Sequence, residues 1–215
     1  KCAAKFFPYV SEETITLKRK IRTILGIVRR NMKNPMQLFR IFYWNYCHKA
    51  IHSNLPEGRY VNVLSHCAMD IAKTADVEIG GLVSLNQKRT RGSKGEFRLL
   101  VEDGATLTFG KGHSYFKYDS DIQVFKGAQL LIGCCSTNIG LKIVCAEKIV
   151  IGNDVHIGRD VWIRDNNGGH YVIIKGYKDK APVIIGDNVW ICSNVSITKG
   201  VTIGEGAIIS SNSVV

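Results

Sequence analysis

The chain has 215 residues, of which 45% are hydrophobic and 22% are charged, which excludes the composition typical of disordered chains. It contains no run of eighteen or more apolar residues that could form a spanning helix. The formal net charge is +11, and the stretch from Lys18 to Lys49 contains many basic residues and no acidic one. That stretch could face acidic lipid, a phosphorylated acceptor or solvent alone. Nucleic-acid binding is not expected, because no recognition module accompanies the charge.

The cysteines indicate a reducing compartment. Seven cysteines form no CxxC pair, and the adjacent Cys134 and Cys135 are poorly placed to bridge each other. We interpret them as small buried hydrophobic residues and expect a cytoplasmic protein, with a peripheral position at the inner face of the membrane as a further option. The chain begins at Lys1 and stops within a repeat at Val215, so we expect it to be trimmed from a longer sequence.

Residues 1–74 are predicted to form a helical and irregular region. A first helix is expected over roughly residues 12–33, because Asn34-Pro35 disfavours its continuation. A second helix, roughly 36–52, carries aromatic residues at three-and-four spacing, namely Phe39, Phe42, Tyr43 and Tyr46. The two helices predict an amphipathic hairpin whose aromatic side packs on the body of the protein. A membrane-surface contact through these basic helices is the alternative.

A six-residue apolar period dominates the rest of the chain. From Ala75 onward, short apolar pairs recur between glycines at uneven spacing, which indicates irregular coils. The period then becomes regular, and its apolar positions are Ile139, Cys145, Ile151, Ile157, Ile163, Ile185, Ile191, Ile197, Ile203, Ile209 and Val215. A single coil of three such hexads cannot bury its apolar edge, so coils must stack. The sequence therefore predicts a mainly β fold: a left-handed parallel β-helix over residues 75–215, a hexapeptide-repeat solenoid with an N-terminal helical segment.

One interruption of the repeat contains a candidate catalytic residue. The loop over residues 164–182 separates Ile163 from Ile185 and includes His170. Loops that leave a regular scaffold are often functional, and a histidine suits proton abstraction near neutral pH. His170 is therefore a candidate general base, although an idle loop histidine on a purely structural β-helix remains an alternative. Asp165 either orients His170 or caps the loop.

Residues 122–215 resemble the hexapeptide-repeat O-acetyltransferases, which include galactoside, maltose, nodulation-factor and capsule or lipopolysaccharide enzymes. The segments that carry the resemblance are IGNDV at 151–155, the loop from Asp165 to His170, IGDNVWI at 185–191 and TKGVTIG at 198–204. The resemblance implies a homotrimer that transfers an acetyl group directly from acetyl-CoA to a sugar hydroxyl, in surface polysaccharide biosynthesis. The main rival is an N-acetyltransferase acting on an amino-sugar nucleotide.

The resemblance also implies roles for individual residues. His170 matches the family's general base, and Asn138 matches an asparagine that bonds the acceptor or the transition state; a turn residue is the alternative for Asn138. The residues implied in cofactor binding are Trp190 beside the acyl group, Ser193 through its backbone N–H, Ser211 along the pantetheine arm and Lys199 near the phosphates. Lys199 could equally be a solvated turn lysine.

Two departures and one competing family limit these assignments. Cys192 replaces a usual glycine, and the acidic substrate residue of the galactoside enzymes has no clean match, Glu147 being the nearest. A γ-type carbonic anhydrase would need three zinc histidines, for which the candidates are His113, His156 and His170. The paired histidines of that family are missing, so no metal is expected.

Overall fold

Two helices precede a long series of short strands. The computed structural model describes residues 17–87, 90, 92–170 and 173–215. The helices are α1 (Leu17–Asn31) and α2 (Pro35–Phe42), and α2 continues as a π-helical turn at Tyr43–Cys47. A 3-10 turn follows at Leu55–Glu57. Within the described residues, no helix has the length and apolar character needed to cross a bilayer.

The described strands are short, and most contain two to five residues. The first ten are β1 (Ile51–His52), β2 (Tyr60–Val63), β3 (Cys67–Ile71), β4 (Asp76–Ile79), β5 (Leu82–Gln87), β6 (Phe97–Val101), β7 (Thr106–Phe109), β8 (His113–Lys117), β9 (Asp121–Val124) and β10 (Gln129–Ile132). The remainder are β11 (Cys135–Thr137), β12 (Lys142–Cys145), β13 (Lys148–Ile151), β14 (Val155–Ile157), β15 (Trp162–Arg164), β16 (Val183–Ile185), β17 (Trp190–Ile191), β18 (Ser196–Ile197), β19 (Thr202–Ile203) and β20 (Ile208–Ile209).

The strands form three parallel sheets. Sheet 1 has the order β1-β4-β7-β10-β13-β16-β19, sheet 2 the order β2-β5-β8-β11-β14-β17-β20, and sheet 3 contains β3-β6-β9-β12-β15-β18. Each turn of the chain thus adds one strand to every sheet. For example, Ile143 pairs with Ile163 and Ile149 pairs with Val183. The predicted left-handed parallel β-helix with an N-terminal helical segment is confirmed.

The core is a continuous apolar column inside the three sheets. Cys145, Ile151, Ile157 and Ile163 point inward, and the sixfold count continues after the loop with buried side chains at Ile185, Ile191 and Ile197. Each buried side chain of this size contributes about 1.5–3 kcal/mol relative to its exposed state. Ile139, which starts the count in the sequence, lies instead in a turn and is only partly buried, because Thr137 takes the inward position that pairs with Ile157.

The glycines that follow the sheet 1 strands form a column along one corner, called here the glycine column: Gly80, Gly110, Gly133, Gly152 and Gly186. A Cβ atom on Gly152 would lie 2.6 Å from the carbonyl carbon of Gly186. A Cβ atom on Gly133 would lie 2.7 Å from the carbonyl oxygen of Gly152. The Ile-Gly pairs of the sequence therefore reflect the close approach of stacked coils rather than left-handed backbone at these glycines.

The β-helix begins earlier than the boundary at residue 75 that the sequence analysis places. Strands β1, β2 and β3 already form a complete first coil, and Ile51 pairs with Val77 of the second. This coil lacks the sixfold period because longer connections separate its strands, including the 3-10 turn. The prediction that the second helix reaches residue 52 is accordingly wrong at its end. The first helix ends at Asn31, two residues before the predicted end. Its predicted beginning, at residues 12–16, lies outside the described residues.

The aromatic side of the second helix is exposed, contrary to the expectation that it packs on the body. Phe39 is 64% exposed and Tyr46 is 57% exposed. The buried face instead carries Gln37, Ile41 and Asn45, which are spaced four residues apart. The Asn45 side chain donates to the carbonyl oxygen of Val61 at 2.8 Å and accepts from its N–H at 2.9 Å. Polar anchoring to β2 therefore decides which face is buried.

Candidate active site

The outward side chains of sheet 2 form a row along the β-helix. Ser136 of β11 pairs with His156 of β14, which pairs with Trp190 of β17. Trp190 in turn pairs with Ile208 of β20, and the two side chains are 53% and 64% exposed. Because the coils are in register, residues far apart in sequence are neighbours along one exposed surface.

A second row lies just after the carboxyl ends of the same strands, at the corner where the chain turns from sheet 2 toward sheet 3. This row is called here the sheet 2 edge, and it consists of Asn138, Gly158, Ser193 and Ser211. The N–H of Asn138 donates to the carbonyl oxygen of Ile157 at 2.8 Å. The N–H of Arg159 donates to Ser193 Oγ at 3.2 Å, and that of Asn212 donates to the Ser193 carbonyl at 3.1 Å. Three of the predicted site residues are therefore stacked at one corner, with two coils between Asn138 and Ser193 and one coil between Ser193 and Ser211.

A shallow depression of about 190 Å³ lies where the two rows meet. Its lining residues are Lys117, Ser136, Thr137, Asn138, His156, Ile157, Gly158 and Trp190. Two residues that the sequence predicts for the acceptor and acyl groups, Asn138 and Trp190, therefore share one surface. Gly158 leaves no room for a side chain there, since a Cβ atom would lie 2.7 Å from the Ser193 nitrogen.

The Asn138 side chain is held in one orientation. Its Oδ1 accepts from Lys117 Nζ at 3.0 Å and from the N–H of Ile139 at 3.0 Å. With Oδ1 so used, the Nδ2 group is the donor that Asn138 can offer to an oxygen atom in the depression. Asn138 is thus a turn residue in this structure, and its Nδ2 group can still contact a ligand.

His170 does not line this depression. Its loop leaves the β-helix between β15 of sheet 3 and β16 of sheet 1, and the His170 side chain is exposed. The base of the loop is tied together, because Asn167 Nδ2 donates to Asp179 Oδ1 at 3.1 Å and the Tyr177 hydroxyl donates to Asn167 Oδ1 at 3.0 Å. A single chain therefore does not bring His170 together with Asn138 and Trp190.

The structure favours the capping role of Asp165. Its carboxylate is fully buried and accepts from the N–H groups of Ala146, Glu147 and Lys148 at 2.8, 2.8 and 2.7 Å. The neighbouring Asn166 Nδ2 adds a fourth bond at 2.9 Å. These bonds join the start of the loop to the turn one coil below, and none of them involves His170.

Lys199 lies away from the depression. Its Nζ donates to the carbonyl oxygen of Lys178 at 2.8 Å and lies 4.3 Å from the centre of the Tyr177 ring. The lysine thus fastens the loop to the following turn in this structure. Ser193 and Ser211 lie on the sheet 2 edge, so the predicted cofactor residues are divided between two corners.

Sequence reasoning missed Lys117 and considered His156 only as a zinc ligand. The signal that could have found His156 is the register, since it stands between Ser136 and Trp190 in the outward row. Among the described residues, the one group with metal-ligating geometry is His52, Asp76 and Glu78, which are all exposed. His113, one of the histidines suggested for a carbonic anhydrase shared between two chains, has its Nδ1 atom 2.8 Å from the Tyr115 hydroxyl.

The described cysteines are free thiols. Burial raises the pKa of Cys67 to about 12 and that of Cys135 to about 12, so both remain protonated at neutral pH. Burial, followed by the nearby Asp165 carboxylate, also raises the pKa of the Cys145 thiol. Cys192, which precedes Ser193 on the sheet 2 edge, is only partly buried.

Comparison with known proteins identifies the repeat. Residues 182–215 match the family model of the bacterial transferase hexapeptide (six repeats). The chain is 34% identical over 103 residues to the galactoside O-acetyltransferase of Escherichia coli K12, covering 47% of each protein. It is 34% identical over 93 residues to the polysialic acid O-acetyltransferase of Escherichia coli O1:K1, covering 41% of this chain and 30% of that protein.

The crystal structure of the polySia specific acetyltransferase NeuO is 25% identical, with a TM-score of 0.49 over 77% of both chains. The matches to the two curated relatives span less than half of each relative's length. The chain carries the hexapeptide repeat of the bacterial transferases, and its resemblance to the sugar O-acetyltransferases is confirmed.

Proposed function

We propose that this protein transfers an acetyl group from acetyl-CoA to a hydroxyl group of a sugar, in the biosynthesis of a surface polysaccharide. The observation that supports the proposal is the sheet 2 edge, on which Ser193 lies two coils after Asn138, and Ser211 one coil after Ser193, all beside Trp190. An extended thioester substrate would lie along such an edge, with its acyl group at the depression. The relatives named as O-acetyltransferases of sugars support the same chemistry.

His170 would act as the general base. It would accept the proton of the sugar hydroxyl while the hydroxyl oxygen attacks the thioester carbonyl carbon. The Ser193 N–H would donate to the developing oxyanion, and Asn138 Nδ2 would donate to the acceptor or to the transition state. Collapse of the tetrahedral intermediate would break the C–S bond, and the protonated His170 would return the proton to the departing thiolate.

The position of His170 supports a homotrimer. Since His170 is outside the depression of its own chain, a neighbouring copy would have to supply it. Three copies with parallel axes would place the loop of one chain beside the sheet 2 edge of the next, which gives three equivalent sites. Each site would then take its base from one chain and Asn138 and Trp190 from another.

The cofactor assignments differ in their support. Trp190, Ser193 and Ser211 are accessible along one edge, and we propose that acetyl-CoA contacts all three. Lys199 could bind the CoA phosphates only if its Nζ exchanges the Lys178 carbonyl for a phosphate oxygen. No metal takes part in the proposed reaction. We also propose a cytoplasmic location, which agrees with the free thiols of the described cysteines.

Mass spectrometry of acetyl-CoA reactions with a panel of sugars, sugar nucleotides and lipid-linked oligosaccharides tests the proposal. We expect a mass increase of one acetyl group on a hydroxyl, and a loss of at least roughly 100-fold in rate for His170→Ala. His52→Ala, which changes an exposed histidine in the first coil, is the control and should retain the rate. Acetylation of an amino group would favour the N-acetyltransferase, and full activity of His170→Ala would contradict the role of His170.

A further inference from the structure

Helix α1 covers only part of its apolar face against the protein. Ile24 and Ile27 pack toward α2 and Tyr60, and Ile27 is buried. The adjoining half of the same face carries Leu17, Ile21 and Leu25, spaced four residues apart, which are 72%, 48% and 62% exposed. An amphipathic helix normally covers its whole apolar face, so the uncovered half indicates a further contact surface.

The exposed apolar surface continues through the turn into α2. Met32 at the end of α1 and Met36 at the start of α2 are 69% and 57% exposed. Phe39 is stacked with Tyr43 at a ring distance of 6.1 Å, and both rings remain accessible. The hairpin therefore presents aliphatic side chains on one helix and aromatic side chains on the other.

Cations border this apolar surface. At 100° per residue, Arg22 and Arg29 fall beside the stripe of Leu17, Ile21 and Leu25, and both are exposed. Among the residues that the structure describes, neither arginine forms an ion pair, whereas Lys20 on the inner side pairs with Glu57 at 3.3 Å. The stretch from residue 17 to residue 49 contains no acidic residue.

We propose that the α1–α2 hairpin binds the surface of an anionic lipid bilayer. Apolar side chains would enter the boundary between headgroups and acyl chains, and Arg22 and Arg29 would contact acidic headgroups. A second copy that paired this surface with its own equivalent is a poorer occupant, because the contact would bring like charges together. The proposal is independent of the acetyl-transfer reaction, since the hairpin packs on the first coil and the nearest residue that lines the depression, Lys117, lies two coils further along.

Flotation of the full chain with vesicles tests the proposal. We expect binding to phosphatidylcholine vesicles that contain about 30% of the anionic lipid phosphatidylglycerol, and weak binding to vesicles of phosphatidylcholine alone, because the basic residues need an anionic surface. Arg22→Gln with Arg29→Gln should lower the partition coefficient by about 30-fold, since each basic residue near an anionic surface contributes about fivefold. The control variant Lys73→Gln with Lys126→Gln removes two exposed lysines of the β-helix and should leave the partition coefficient unchanged.

A second variant tests whether the exposed apolar side chains of the hairpin contribute to vesicle binding. Leu25→Ser with Phe39→Ser should weaken binding to both kinds of vesicle, and the thermal unfolding midpoint verifies that each variant is folded. Equal binding to neutral and anionic vesicles, or equal losses in the two charge variants, would overturn the proposal. So would self-association in sedimentation equilibrium that the Leu25 and Phe39 changes abolish, because the occupant would then be a second copy.

Discussion

At the scale of single residues, the buried carboxylate of Asp165 illustrates how the loop that contains His170 is attached to the repeat. It accepts three backbone N–H groups from the turn at residues 146–148, together with the Asn166 side chain. A carboxylate that accepts several donors satisfies polar groups that would otherwise be buried without partners. Asp165 therefore fixes where the loop begins, while His170 stands five residues further along, in the solvent.

Removal of this carboxylate should destabilise the protein. For Asp165→Ala we expect the free energy of unfolding to fall by about 3–5 kcal/mol, because several buried N–H groups lose their acceptor. Urea denaturation at a fixed protein concentration measures the change. Asp103→Ala removes one exposed bond from Thr74 and should cost less than about 1 kcal/mol. A variant Asp165→Asn with unchanged stability and a strongly reduced rate would instead indicate that Asp165 orients His170.

At the scale of elements, the glycine column shows that the turns of the β-helix are specified by contacts between coils. Gly152 meets the backbone of Gly186 and Asp187, so a methyl group there would force neighbouring coils apart. Gly26, in the middle of α1, also lacks a left-handed backbone, but a Cβ atom on it would approach only the Arg30 side chain, at 3.9 Å. The two glycines thus have different structural requirements.

This difference gives a matched pair of variants. Gly152→Ala should lower the free energy of unfolding by about 3 kcal/mol or more, because the nearest atoms belong to rigid backbone. Gly26→Ala should instead stabilise the protein by about 0.5–1 kcal/mol, because alanine favours a helix interior and the added methyl group meets no backbone. Thermal and urea unfolding compare the two variants. A loss for Gly152→Ala of less than about 0.5 kcal/mol would mean that the coils can accommodate a side chain at this corner.

At the scale of the whole molecule, one chain holds the two parts of the proposed site on separate corners of the β-helix. The depression with Asn138 and Trp190 lies beside sheet 2, and the loop with His170 leaves between sheets 3 and 1. The stacked coils are rigid, and sheet 3 lies between the loop and the depression. To reach the depression of its own chain, the loop would have to cross the whole of sheet 3. Assembly of identical chains is the simpler way to join the two parts.

Mixing two inactive variants tests this assembly. If each site combines His170 of one chain with Asn138 of its neighbour, a mixture of His170→Ala and Asn138→Ala chains contains sites with both native residues. Coexpression in equal amounts should restore about a quarter of the wild-type rate, the statistical share of such sites in a closed trimer. Each variant expressed alone supplies the baseline. No recovery in verified mixed trimers would show that both residues act within one chain.

Several features could be predicted from the sequence because they repeat. A stacked coil must place an apolar side chain at every sixth position, so Ile151, Ile157, Ile185 and Ile191 reveal the fold without a structure. The loop at residues 164–182 was visible as a gap in that period. The location of Asn138 and Trp190 on one surface also agrees with the register that the hexads imply.

Other features depend on contacts that have no local signature. The first coil at residues 51–71 was not predicted, because unequal connections conceal its period. Which side of the hairpin is exposed depends on the amide bonds of Gln37 and Asn45 to β2, and an amphipathic pattern alone does not identify the covered face. The hexad pattern alone specifies the β-helix and the residues that face its core, because stacking repeats the same local requirement at every coil. The distance of His170 from the depression, and the hydrogen-bond partners of Asp165 and Lys199, depend on which coils and corners meet in space, so they were visible only in the folded chain.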